Sequence, residues 1–102
     1  MTYEDDEGWT ALADRTRRAI VMQLAEGERA VGELAAVLPV SQPAVSQHLK
    51  VLTEVGLVSH RAEGTKRIYR LNEAGVAALR DQLETFWKRT MSGFEDLMEE
   101  DR

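Results

Sequence analysis

The chain has 102 residues, a formal net charge of −5 and no cysteine. That length supports one domain with a modest core. The lack of cysteine excludes disulfides, thiolate metal sites and cysteine-based redox chemistry. The sequence has no apolar run of roughly eighteen residues, so we expect no membrane span. The acidic N-terminus has neither the basic nor the apolar part of a secretory signal, so we expect a cytoplasmic protein.

The charge is distributed unevenly along the chain. Residues 1–10 carry four acidic side chains, and residues 72–102 carry eight acidic and four basic ones. Residues 41–71 carry five basic and two acidic side chains, a balance of +3. This middle segment alone is positive, which predicts a phosphate-contacting face there and nowhere else.

At the N-terminal end, we expect residues 1–8 to form a disordered acidic segment and residues 9–99 to form one domain. Trp9 and Leu12 begin a short apolar helix. Asp14 is placed to cap a second helix that runs from about residue 15 to residue 25.

Three arginines crowd the first turn of that second helix: Arg15, Arg17 and Arg18. The helix dipole disfavours cations at this end. Phosphates, acidic residues elsewhere in the chain and plain solvation all remain open as the reason for their placement.

The next two helices are joined by a very short turn. Residues 31–38 have helical apolar spacing, and Pro39 ends the segment. The helix begins weakly, because Ala30 stands where a capping box needs Ser or Thr. A further helix begins after Ser41, so the two must cross at a large angle, as in a helix-turn-helix.

The second of these helices, which begins after Ser41 and runs to about Val55, is called the reading helix below. Ser41 can cap it, and an apolar stripe forms its back: Val45, Leu49 and Leu52. Its front carries Gln42, Ser46, Gln47 and Lys50, which are side chains that can contact base edges and phosphates in a DNA major groove. A surface helix kept polar for solubility is the alternative.

Two strands follow, at residues 57–61 and 66–71, joined by a glycine-containing turn. They carry four basic residues: Arg61, Lys66, Arg67 and Arg70. A basic hairpin directly after a helix-turn-helix is a wing that lies along the DNA backbone.

The last helix begins near Asn72 and runs to about Met98. Its apolar stripe is longer than a small core can cover, so a monomer would expose a large aromatic patch. We therefore predict a homodimer interface formed by Trp9, Leu12, Leu79, Leu83, Phe86, Trp87, Met91 and Phe94. The alternative is that Trp87 packs on the chain's own helices.

The sequence also resembles the ArsR-type winged helix-turn-helix repressors of bacteria and archaea over about residues 9–90. The resemblance rests on residues 11–20, 32–35, 41–52, 56–58 and 69–71. It implies a mainly α fold with a small β-hairpin between the fourth and fifth helices, and a homodimer formed through the first and last helices. It also implies that the wing contacts DNA and that four side chains face the groove: Ser41, Gln42, Ser46 and Gln47.

The sequence departs from the family's metal-responsive members. Those members place cysteines just before the Glu33 position, where this chain has Ala30, Val31 and Gly32. Other members bind metal through the last helix, which here holds Asp81 and Glu84 but no histidine. We therefore expect no cofactor and no metal switch.

These observations predict a non-enzymatic repressor that binds a palindromic double-stranded DNA operator as a homodimer. A winged-helix interaction module without DNA binding is the alternative. An unknown small-molecule effector could enter near Trp87 and Phe94. The predicted DNA-binding residues are Ser41, Gln42, Ala44, Ser46, Gln47, His48, Lys50, Arg61, Lys66, Arg67 and Tyr69.

Overall fold

The computed structural model describes residues 7–100, which form five helices and three strands. The helices are α1 (Glu7–Ala11), α2 (Arg15–Glu26), α3 (Val31–Val37), α4 (Gln42–Glu54) and α5 (Glu73–Glu100). The strands are β1 (Arg29–Ala30), β2 (Val58–Glu63) and β3 (Lys66–Leu71). The mainly helical winged helix-turn-helix architecture is thereby confirmed, with one strand more than the sequence predicts.

The first helix begins at Glu7, so the last two residues of the predicted disordered segment belong to α1. Residues 1–6 of that segment lie outside the described part of the chain.

The two helices of the helix-turn-helix begin where their capping residues indicate. In α3 the missing cap side chain is partly replaced, because the Ala30 N–H donates to the Glu33 carboxylate at 2.9 Å. In α4 the Ser41 hydroxyl accepts from the Ala44 N–H at 3.3 Å, and Pro43 lies in the first turn, where its missing N–H costs nothing.

The wing belongs to a three-stranded antiparallel sheet in the order β1-β3-β2. Its hairpin pairs Val58 with Leu71 and Glu63 with Lys66, which leaves a two-residue turn at Gly64 and Thr65. Gly64 has φ +63°, a conformation that suits glycine. The added strand β1 pairs Arg29 with Tyr69, so β3 is the central strand.

The core lies where α2, α3 and α4 meet the sheet. Five side chains are fully buried at this junction, and three of them form the predicted stripe of the reading helix: Ile20, Leu34, Val45, Leu49 and Leu52. The polar front of α4 is turned to solvent because its apolar back is fixed in this core.

The final helix is joined tightly to the end of the reading helix. The Asn72 backbone N–H donates to the Leu57 carbonyl at 2.9 Å, and the Asn72 side-chain amide donates to the Gly56 carbonyl at 2.9 Å. A Cβ on Gly75 would overlap that same Gly56 oxygen, so the close approach requires glycine. We call this junction of residues 56, 57, 72 and 75 the α5 joint.

Beyond the joint, α5 leaves the core. Leu79 is still buried, but every residue from 83 to 99 is exposed. No helix in residues 7–100 is both long enough and apolar enough to span a membrane.

Candidate nucleic-acid interface

The exposed front of α4 and the wing enclose one open groove, which we call the wing groove. It has a volume of about 1290 Å³. From α4 it is lined by Gln42, Ser46, Gln47 and Lys50, and from the hairpin by Lys66 and Arg67. Tyr69 of the hairpin also lines it, so seven of the sequence-predicted contacts lie around a single concave surface.

The cations of the wing groove are available to an external anion. Lys50, Lys66 and Arg67 are all exposed, and none forms an ion pair with another residue in the described range 7–100. Three unpaired positive charges beside amide and hydroxyl side chains make a surface that can contact phosphates and base edges together.

Arg61, in contrast, is already paired. Its Nη1 donates to the Glu28 carboxylate at 2.6 Å and its Nη2 donates to Glu63 at 3.1 Å. The hydrogen bond and the charge of Glu28 raise the pKa of Arg61, and Glu63 adds to both effects. The guanidinium ties β2 to the loop before β1, so a phosphate at Arg61 competes with two carboxylates for its donors.

Tyr69 is largely buried, and its small exposed part lines the wing groove. It is 7% exposed, and its ring packs against His60 with a centroid distance of 5.2 Å. Its position in the central strand explains the burial, because β1 and β2 flank it on both sides. Ala44 is half-buried at the start of α4.

His48 faces a different part of the molecule. It does not line the wing groove; its half-buried ring contacts α2, where Arg17 Nε donates to His48 Nδ1 at 3.3 Å. Sequence reasoning missed this bond, because the two residues are 31 positions apart and neither belongs to a motif that predicts the other.

Two of the three arginines at the start of α2 bind carbonyls at the carboxyl end of α1 and in the turn that follows it. Arg17 Nη1 donates to the Ala11 carbonyl at 3.2 Å, and Arg18 Nη1 donates to Leu12 at 2.8 Å and Ala13 at 3.1 Å. These carbonyls are the negative end of a helix, which accounts for cations at an otherwise unfavourable place.

Asp14 completes this region. Its carboxylate accepts from the Arg17 backbone N–H at 3.0 Å, and this bond lowers the pKa of Asp14. Partial desolvation opposes the effect, and the charge of the Arg17 side chain adds to it. The capping carboxylate therefore stays ionised.

The residues predicted for a dimer interface fall into two groups. Leu79 is buried in the chain's own core, and Trp9 and Leu12 pack half-buried against that core. The other five form an exposed stripe, called the α5 stripe: Leu83 (40% exposed), Phe86 (44%), Trp87 (57%), Met91 (51%) and Phe94 (55%).

The stripe begins in an aromatic cluster. Phe86 packs edge-on against Trp9 at 5.3 Å and against Trp87 at 5.3 Å. The first helix and the last helix therefore share one apolar face.

Within residues 7–99, the chain has no group of three or more His, Asp or Glu side chains placed to hold a metal ion.

The chain is similar in sequence to bacterial regulatory proteins. A family model described as "Bacterial regulatory protein, arsR family" matches residues 14–60, which contain the helix-turn-helix. The HTH-type transcriptional regulator Rv2034 of Mycobacterium tuberculosis is 57% identical over 99 residues, covering 96% of this chain and 92% of that protein. The HTH-type transcriptional repressor SmtB of the same species is 48% identical over 67 residues, covering 66% of this chain and 50% of its own length.

A solution structure from Mycobacterium bovis is similar along most of the fold. It is described as the homodimeric winged helix-turn-helix DNA-binding domain of a possible ArsR-family regulator. It aligns with a TM-score of 0.69 and 33% identity, covering 83% of this chain and 79% of that one.

Proposed function

The chain belongs to the ArsR family of bacterial regulatory proteins, and from its surface we propose how it acts as a transcriptional regulator: as a homodimeric repressor on a palindromic operator. The wing groove is the observation that carries this proposal. It joins the amide and hydroxyl front of the reading helix to unpaired cations on the wing.

The proposed contact residues fall into two groups, those that can reach base edges and those that can reach phosphates. Gln42, Ser46 and Gln47 lie on the exposed front of α4, where they would contact base edges in a major groove. Ser41, Lys50, Lys66 and Arg67 would contact phosphates and set the register of the protein on the duplex. Arg61 would join them in competition with its partners Glu28 and Glu63.

A second copy of the chain is the proposed occupant of the α5 stripe. Five large side chains there are 40–57% exposed, in continuity with Trp9 of α1. A two-fold axis would place two reading helices about 34 Å apart, one turn of DNA, which suits a palindromic site. The dimeric M. bovis relative supports this assembly.

Release of the operator is proposed not to depend on a metal ion. The sequence has no cysteine and only two histidines, His48 and His60, which lie on the reading helix and the wing. A small apolar effector beside Trp87 and Phe94 is the proposed alternative, and a tryptophan fluorescence screen tests it.

The sequence-derived alternative was an interaction module that no longer binds DNA. Membership of a family of DNA-binding regulators disfavours it. Three unpaired cations in the wing groove also disfavour it, since a protein partner would not require them. Action on DNA also assigns the protein to the bacterial cytoplasm.

The test compares two neighbouring residues of α4. Gln47→Ala should lower binding to the operator about tenfold or more and leave binding to random DNA unchanged, because it removes a base contact. Lys50→Ala should weaken binding to both duplexes and reduce the slope of log K against log salt by about one.

Operator fragments selected from the source genome provide the specific duplex for this titration. Equal losses on both duplexes for Gln47→Ala would remove the base-reading assignment. Binding that does not change between low and moderate salt would remove the phosphate assignment.

A further inference from the structure

The bond between Arg17 and His48 fixes the chemistry of the imidazole. Arg17 Nε carries a hydrogen at all accessible pH values, so it can only donate. His48 Nδ1 lies 3.3 Å from it and must therefore be the unprotonated nitrogen. A neutral imidazole whose Nδ1 accepts carries its proton on Nε2, on the other edge of the ring.

Arg17 is itself held on two sides. Its Nη1 donates to the Ala11 carbonyl at 3.2 Å, and its backbone N–H donates to the ionised Asp14 carboxylate at 3.0 Å. Ala11 is 2% exposed and belongs to the core. The bond to the Ala11 carbonyl holds the guanidinium beside His48, where it can act only as a donor.

The position of His48 on α4 indicates what its Nε2–H meets. A helix in the major groove is flanked by two sugar-phosphate strands. The wing groove takes the strand beside Lys66 and Arg67. His48 lies on the other edge of α4, toward the start of α2.

We infer that Arg17 is a positioning residue that holds His48 as an Nε2–H donor to a backbone phosphate on the strand opposite the wing. This inference rests on the proposed DNA binding. It assigns to Arg17 a role that acts through His48.

The tautomer can be measured in the free protein. Long-range ¹H–¹⁵N NMR at mildly alkaline pH separates a protonated Nε2 from a protonated Nδ1. We expect the His48 signals of the wild type to show the Nε2–H form alone. In Arg17→Met, the same signals should move toward a mixture of both tautomers.

DNA binding then tests the consequence. Arg17→Met should weaken binding about tenfold on operator and random DNA alike, because a phosphate contact is lost. His48→Gln supplies an amide N–H near the Nε2 position and needs no donor at Nδ1. In the His48→Gln background, Arg17→Met should therefore change affinity less than twofold.

A wrong inference, a loss of folding and a failure of the proposed function would give different results in these experiments. A wild-type His48 protonated on Nδ1 would overturn the inference. An equal tenfold loss from Arg17→Met in the His48→Gln background would also overturn it, because Arg17 would then act on folding or on DNA directly. A failure of the proposed function would instead appear in the wild type, as a lack of salt-dependent DNA binding.

Discussion

Substitution of Trp87 gives a direct test of the proposed dimer interface. Trp87 is 57% exposed in the single chain, although it is one of the largest apolar side chains of α5. A tryptophan can bury roughly 250 Å², so about 140 Å² of this residue remains in contact with water. Trp87→Ala removes most of that surface and leaves the core unchanged.

The expected effect follows from the exposed area. If a partner copy covers half of it, about 70 Å² per chain is removed from water, which is worth about 1.8 kcal/mol at 25 cal/mol per Å². Two-fold symmetry doubles this value to about 3.5 kcal/mol per dimer. The dissociation constant of the Trp87→Ala dimer should therefore rise about 300-fold.

Sedimentation equilibrium over a series of protein concentrations measures this constant. Met22→Ala is the matched control, since Met22 is 70% exposed on α2, away from the α5 stripe, and should leave the constant unchanged. If Trp87→Ala dissociates no more readily than Met22→Ala, the α5 stripe is not the interface and the area argument fails.

Three other changes test individual contacts. Gly75→Ala should destabilise the fold by about 1–3 kcal/mol in urea unfolding, because its Cβ would overlap the Gly56 carbonyl; Gly93→Ala, which meets open space on the same helix, should not destabilise it. Glu28→Gln should strengthen DNA binding severalfold in a salt titration by removing one of the two carboxylates paired with Arg61; the same gain in the exposed control Glu26→Gln would instead show a net-charge effect. The lowered pKa of Asp14 means that its charge stabilises the fold fully above the ordinary value of 3.8, and that this contribution is lost as the pH falls through the folded pKa. The gap in urea midpoint between the wild type and Asp14→Asn should therefore close in acid, and a gap that is constant with pH would contradict the assignment.

The parts of the fold that local chemistry specifies could be predicted from the sequence. The reading helix begins and ends within a residue of the prediction, because Ser41 caps it, Gly56 follows it with φ +81°, and its apolar spacing is regular. The hairpin is also found where alternation and Gly64 predict it.

The features that were missed depend on residues far apart in the chain. Strand β1 has only two residues, and it is a strand only because β3 pairs with it. That pairing makes β3 the central strand, whose Tyr69 is 7% exposed and lines the wing groove. The bond from Arg17 to His48 likewise exists only after α2 and α4 have packed together.

The α5 joint makes the last helix a lever arm. Its 28 residues extend about 42 Å at 1.5 Å per residue. A rotation of about 5° at the joint would move the far end by about 4 Å, roughly the rise of one base pair. Gly75 lies against the Gly56 carbonyl, and Asn72 is bonded to the same turn. Such a rotation would therefore push the backbone of α5 against the backbone at Gly56. In the proposed dimer along α5, the two reading helices would therefore have little angular play, and the protein would set the phasing of the half-sites on DNA.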